Sequence, residues 1–124
     1  MNLIIGGAWQ GKTAFAMDIY GFREDDIFTC TNSSIDFSYP CIRHLEEFVL
    51  GCIREKIDPV AFLEENRTRW QETVFLCADL SSGIVPMEAE NRLWRNETGR
   101  LCQYLSRNAV SVSRIFCGLE QKLK

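Results

Sequence analysis

Apolar and polar positions change period several times along the chain, and each change marks an element. Leu3-Ile4-Ile5 is a short continuous apolar run, the pattern of a buried strand. Residues 14–20 are helix-compatible, and Gly21 supplies a stop. A second buried strand is expected over residues 27–31, followed by turn chemistry at Asn32-Ser33-Ser34. Residues 35–39 are mixed in polarity and closed by Pro40, which suits irregular chain or a short edge strand. From Cys41 the spacing becomes helical. Ile42, Leu45, Phe48, Val49, Cys52, Ile53 and Ile57 recur on one face, with Arg43, Glu46, Glu47, Arg54 and Glu55 on others. Asp58-Pro59 interrupts this helix and suits the start of another, with Asp58 as N-cap and Pro59 at the first helical position. That helix is expected to reach about Gln71, with Val60, Leu63 and Trp70 toward the core.

Residues 73–78 read as an interior strand ended by Asp79, and residues 81–86 as a loop of small residues closed by Pro86. A long helix is expected over 88–107, with Leu93, Trp94, Leu101 and Leu105 toward the core. Residues 110–117 supply a last strand, and 118–124 a short tail. Strands alternating with helices predict an α/β domain of three layers with a largely parallel central sheet. At 124 residues, one domain spanning the chain is expected.

Composition narrows the function classes. The formal net charge of −3 argues against a general nucleic-acid binder. No apolar run approaches a membrane span, and the opening lacks a signal-like basic segment, so a cytoplasmic location is expected. No two of the 6 cysteines fall at C-x-x-C spacing. Cys30, Cys77 and Cys117 lie in strand-like runs and Cys41, Cys52 and Cys102 in helical patterns, so buried free thiols are expected rather than a zinc site or disulfides.

Between the first strand and the first helix stands Gly6-Gly7-Ala8-Trp9-Gln10-Gly11-Lys12-Thr13, which fits G-x-x-x-x-G-K-[ST]. Glycines let the backbone curl so that N–H groups face phosphate oxygens, and the following helix adds its N-terminal dipole. Lys12 is placed to reach the β- and γ-phosphates, and the Thr13 hydroxyl to sit on Mg²⁺. Asp79 ends a buried strand, where P-loop proteins hold a Mg²⁺-associated acid, although strands also end in Asp because the turn favours it. Arg92, Arg95, Arg100 and Arg107 give the long helix a solvated face from which one or two could reach a nucleotide or phosphorylated substrate.

These residues support a resemblance. Gly6 to Thr13 is similar to the opening G-G-x-x-x-G-K-S loop of the adenosylcobinamide kinase / adenosylcobinamide-phosphate guanylyltransferase family. That family also carries N-E-V-G-x-G-I-V-P and then R-x-F-R-D-x-x-G-x-x-N-Q-x-L-A. Here Ala78-Asp79-Leu80-Ser81-Ser82-Gly83-Ile84-Val85-Pro86 precedes a helix in which Arg92, Arg95, Gly99 and Gln103 keep the spacing. The resemblance covers the first thirty or so residues and the last fifty. Asp79 stands for a Glu, Ser81 for a glycine, Asn96 for an Asp and Cys102 for an Asn.

The resemblance implies a RecA-like P-loop fold, often oligomeric, which leaves a homo-oligomer open. It implies ATP- or GTP-dependent phosphorylation of a cobinamide hydroxyl, then GMP transfer through a guanylylated histidine. Lys12 and Asp79 would be catalytic, Thr13 and Asp79 would serve Mg²⁺, and Gly83, Ile84, Val85 and Pro86 with Arg92 or Arg95 would shape the acceptor or nucleotide site. The segment that carries the family's histidine has no counterpart here. His44, the single histidine, falls downstream of that gap, so the kinase step carries over while guanylyl transfer stays open. Two other readings stand beside this one: a non-catalytic nucleotide-binding module with a regulatory or assembly role, and a small P-loop kinase with an unrelated acceptor.

Overall fold

The computed structural model describes residues 1–80 and 88–124. Among them, β1 (Asn2–Gly6), β2 (Ile27–Thr29), β3 (Cys41–Arg43), β4 (Val74–Ala78), β5 (Ser111–Phe116) and β6 (Leu119–Lys122) form one sheet in the order β2-β3-β4-β1-β5-β6. All neighbours are parallel except β5 and β6. The helices are α1 (Lys12–Tyr20), α2 (Leu45–Arg54), α3 (Pro59–Glu65) and α4 (Ala89–Asn108).

Alternation along the strands sends side chains to two cores. Leu3, Ile42, Phe75, Cys77 and Val112 pack on one face with α2, α3 and α4, through Leu45, Phe48, Val49, Cys52, Leu63, Leu101 and Leu105. Ile4, Cys41, Val74, Leu76 and Ile115 pack on the other with Ala16 of α1. Helices therefore cover both faces, which explains why the central strands read as unbroken apolar runs. No helix among the described residues is long and apolar enough to cross a membrane.

Several expectations need correction. Cys41 and Ile42 belong to a strand, not a helix, and both are fully buried on opposite sheet faces. The helical period starts at Leu45, after His44 turns the chain with a left-handed φ of 58°. Helix α3 stops at Glu65, because the Asn66 side chain donates to the Phe62 carbonyl, and a 3₁₀ turn at Arg67–Arg69 carries the chain on. Trp70 still reaches the core, where its indole N–H donates to Leu63 O. In α4 the inward face runs Trp94, Thr98, Leu101, Leu105, which leaves Leu93 about 100° away and 46% exposed.

The expected tail is also a strand. Cys117 and Gly118, with φ of 51° and 76°, form a two-residue turn that folds β6 back on β5. Cys117 is therefore an exposed turn residue, and Cys102 is half-buried, while Cys30, Cys41, Cys52 and Cys77 are buried free thiols. Burial pushes the thiols of Cys30, Cys41 and Cys52 up to about 12.

Gly51 of α2 lets the chain between β2 and β3 cross the helix closely. A Cβ there would lie 2.4 Å from Ser33 N and 2.7 Å from Asn32 C.

Asp58 behaves as its sequence position predicts. Its carboxylate accepts from the N–H groups of Val60 and Ala61 and from the Arg100 guanidinium, joining the start of α3 to α4. The Arg100 bond, followed by the backbone bonds, holds its carboxyl below the ordinary value of 3.8. A folded-state value lowered in this way stabilises the fold above the unfolded value and loses that contribution as pH falls through the folded one. Asp58→Ala should cost about 1–2 kcal/mol at neutral pH. In urea unfolding, its deficit against wild type should shrink as pH drops below about 4. A deficit independent of pH would exclude the ionised cap.

Candidate functional site

The glycine-rich segment occupies the turn between β1 and α1, at the carboxyl edge of the parallel strands, where open α/β sheets bind ligands. Gly11, at φ 93°, takes the left-handed conformation that opens α1, a position costly for any residue with a Cβ. No side chain caps α1 and its first turn carries no acid. The first N–H groups of a helix lack intrahelical partners, so this end is a ready anion site.

Ala8, Trp9, Gly11, Lys12 and Thr13 line a cavity of about 400 Å³ together with Ala14, Arg43, His44, Glu46, Leu76 and Ala78. Trp9 stands fully exposed on its rim with φ 63°. Lys12 is half-buried and its Nζ donates to Gly7 O at 2.7 Å, so the ammonium lies folded over its own loop. Burial lowers its pKa, and the nearby Glu46 carboxylate opposes that shift. Arg43 is steadied by bonds from Nε to Thr29 Oγ1 at 2.8 Å and from Nη2 to Glu24 at 2.7 Å.

Gln10 turns the other way. Its Oε1 accepts from Cys117 N at 2.6 Å and its carbonyl accepts from Gly118 N at 2.9 Å. The loop is thereby braced against the β5–β6 turn, an element missed from the sequence because Glu120, Gln121 and Lys122 lack apolar alternation.

The acids fall differently from expectation. Asp79 follows β4, and its N–H donates to Gly6 O at 2.9 Å, extending the ladder by one residue. It lines a second cavity of about 270 Å³ with Ile5, Leu80, Arg95, Thr98, Gly99, Cys102 and Gln103. Ala78 lines both cavities, and Asp79 is not among the residues described around the first. Arg95 is thus placed with Asp79, while Arg92 sits on the exposed side of α4. Gly83, Ile84, Val85 and Pro86 lie outside the described residues.

Glu46 is an acid that lines the glycine-loop cavity, and sequence reasoning placed it only off the apolar face of a helix. It is buried, accepts from Ala78 N at 2.9 Å and lies 3.0 Å from His44 Nδ1. Recognising residues 41–43 as a strand would have placed His44 and Glu46 at the sheet's carboxyl edge.

Among the described residues no group of three or more His, Cys, Asp and Glu could hold a metal by itself. Thr13 and Glu46 line one cavity and would suit a Mg²⁺ carried in with phosphate, Thr13 through its hydroxyl and Glu46 through the ion's waters. No protein-family model matches the chain, and no curated protein matches it.

Replacing Gln10 by Ala removes one brace between the loop and the hairpin. Because the Cys117 N–H can turn to water, the expected loss of unfolding free energy is only about 0.5–1.5 kcal/mol. Amide exchange at Cys117 should accelerate in the same variant. An unchanged exchange rate would show that the bond does not persist in solution.

Proposed function

We propose that the chain is a nucleotide-dependent phosphotransferase with a RecA-like P-loop fold, which phosphorylates an adenosylcobinamide-like hydroxyl from ATP or GTP. One observation carries the nucleotide reading: the G-x-x-x-x-G-K-[ST] loop lies between β1 and an uncapped α1, with Lys12 and Thr13 lining one cavity. The choice of acceptor rests on the G-I-V-P segment and the arginine, glycine and glutamine spacing of the helix that follows.

Phosphoryl transfer asks mainly for positioning and charge neutralisation, and these residue types supply both. Lys12 leaves Gly7 O to meet the terminal phosphates, whose charge further favours its ammonium form. The N–H groups opening α1 bind phosphate oxygens. Thr13 would hold Mg²⁺ through its hydroxyl, and the ion would spread the charge of the phosphate oxygens. Arg43 lines the same cavity and adds a fixed cation. Arg95 lines the adjoining cavity with Asp79 and would serve the acceptor side.

A non-catalytic nucleotide-binding module is favoured by one feature, the position of Asp79 around the second cavity rather than the phosphate-loop cavity. Incubating the protein with cobinamide, Mg²⁺ and ATP or GTP, with products followed by mass, separates the two. The kinase reading requires cobinamide phosphate, whereas nucleotide binding with no product supports the module. Lys12→Ala should lower turnover on the order of 100-fold or more. Unfolding stability should change by no more than about 1 kcal/mol. Equal turnover in variant and wild type would remove the phosphate role from the loop.

A further inference from the structure

Glu46 presents an electrostatic conflict. It is the second residue of α2, its side chain is 8% exposed, and it lines the cavity that also holds Lys12, Thr13 and the opening of α1. Polyphosphate entering that cavity would bring further negative charge toward a buried carboxylate. Like charges at close range in a poorly solvated site repel strongly. A cation between them removes the conflict.

The carboxylate is held in a defined pose. One oxygen accepts from Ala78 N at 2.9 Å and the other faces His44 Nδ1 at 3.0 Å. With Glu46 ionised, Nδ1 is the donor. The backbone is fixed as well, since the Trp94 indole N–H donates to Glu46 O at 2.7 Å. A carboxylate has roughly four acceptor sites, of which these side-chain contacts use two. His44 itself adopts the left-handed φ of 58°, an uncommon conformation for a residue with a Cβ.

We propose that Glu46 orients the water shell of a nucleotide-borne Mg²⁺ in the phosphate-loop cavity, with Ala78 N–H and His44 Nδ1 holding its carboxylate in place. This is the metal-linked role that the sequence assigned to Asp79, and it rests on nucleotide binding by the P-loop. Mg²⁺ keeps several waters and takes few protein ligands, so one hydroxyl on the ion and one carboxylate on its waters suffice on the protein side. A purely structural Glu46 would serve only to tie α2 to β4.

The test is calorimetric titration of the full chain with ADP and with GDP, each with and without Mg²⁺, in wild type, Glu46→Gln, Asp79→Asn and His44→Asn. Gln keeps an oxygen for the Ala78 N–H, and Asn tolerates the left-handed backbone at residue 44. Wild type should bind nucleotide more tightly with Mg²⁺. Glu46→Gln should lose about tenfold or more of that gain. Asp79→Asn should keep it, and His44→Asn should show a smaller loss in the same direction. If Glu46→Gln does not fold, as judged by its thermal unfolding, the His44→Asn and Asp79→Asn pair decides. An undiminished gain in His44→Asn together with its loss in Asp79→Asn overturns the proposal. A full Mg²⁺ gain in a folded Glu46→Gln also overturns it while leaving nucleotide binding intact. Wild type that binds neither nucleotide overturns both this inference and the nucleotide reading beneath it.

Discussion

Parallel pairing along β1 is the constraint on which the rest of the site depends. Residues 2–6 are hydrogen-bonded in register to β4, and residues 2–5 to β5. The chain therefore has little freedom until Gly6, and the loop begins from a point fixed on both sides. The Asp79 N–H bond to Gly6 O continues the β1–β4 ladder past the end of β4. Gln10 then joins the loop to the turn beyond β5. A glycine-rich segment is conformationally permissive by composition. Here it is tied to the sheet at Gly6 and to the hairpin at Gln10, so part of the entropy of ordering it is met by folding and not by ligand.

The same register explains how an acid on α2 reaches the end of β4. Ile42 pairs with Phe75, so β3 runs alongside β4 and ends near it. His44 turns the chain with a positive φ and α2 starts immediately. Its first turn lies over the carboxyl edge, and Glu46 meets the Ala78 N–H. The helix N-terminus favours this negative charge, as does the neighbouring Lys12.

Much of this was readable from residue spacing alone. The apolar runs of β1 and β4 are buried on both faces and have no competing helical period. Gly11-Lys12-Thr13 and Asp58-Pro59 carry local backbone chemistry that tertiary context leaves in place. The failures have equally local causes. Ile42 stands three residues before Leu45, so a strand residue mimicked the first position of a helical stripe. Asn66 ended α3 through a side-chain bond that periodicity does not register. β6 is exposed along its whole length and holds its place by backbone pairing to β5, leaving no apolar signature to find. At the site, the glycine-loop half was legible because it is contiguous in sequence. The acidic half was not, because it depends on which strand lies beside β4.

That dependence separates two acids that look equivalent in one dimension. Asp79 directly follows a central strand, the position from which a carboxylate ordinarily serves a phosphate loop. Its backbone, however, is drawn onto Gly6 O, and it lines the cavity that contains Arg95 and Gln103. Ala78 forms part of the wall on both sides. The N–H of that residue is directed to Glu46, so the strand end still anchors a carboxylate at the glycine-loop cavity, though the carboxylate comes from the next helix over. A nucleotide and an acceptor seated in the two cavities would thus each have an acid beside it, with Glu46 on the phosphate side and Asp79 on the other. The two carboxylates then answer to different charges, and exchanging their roles would require moving a strand end rather than a side chain.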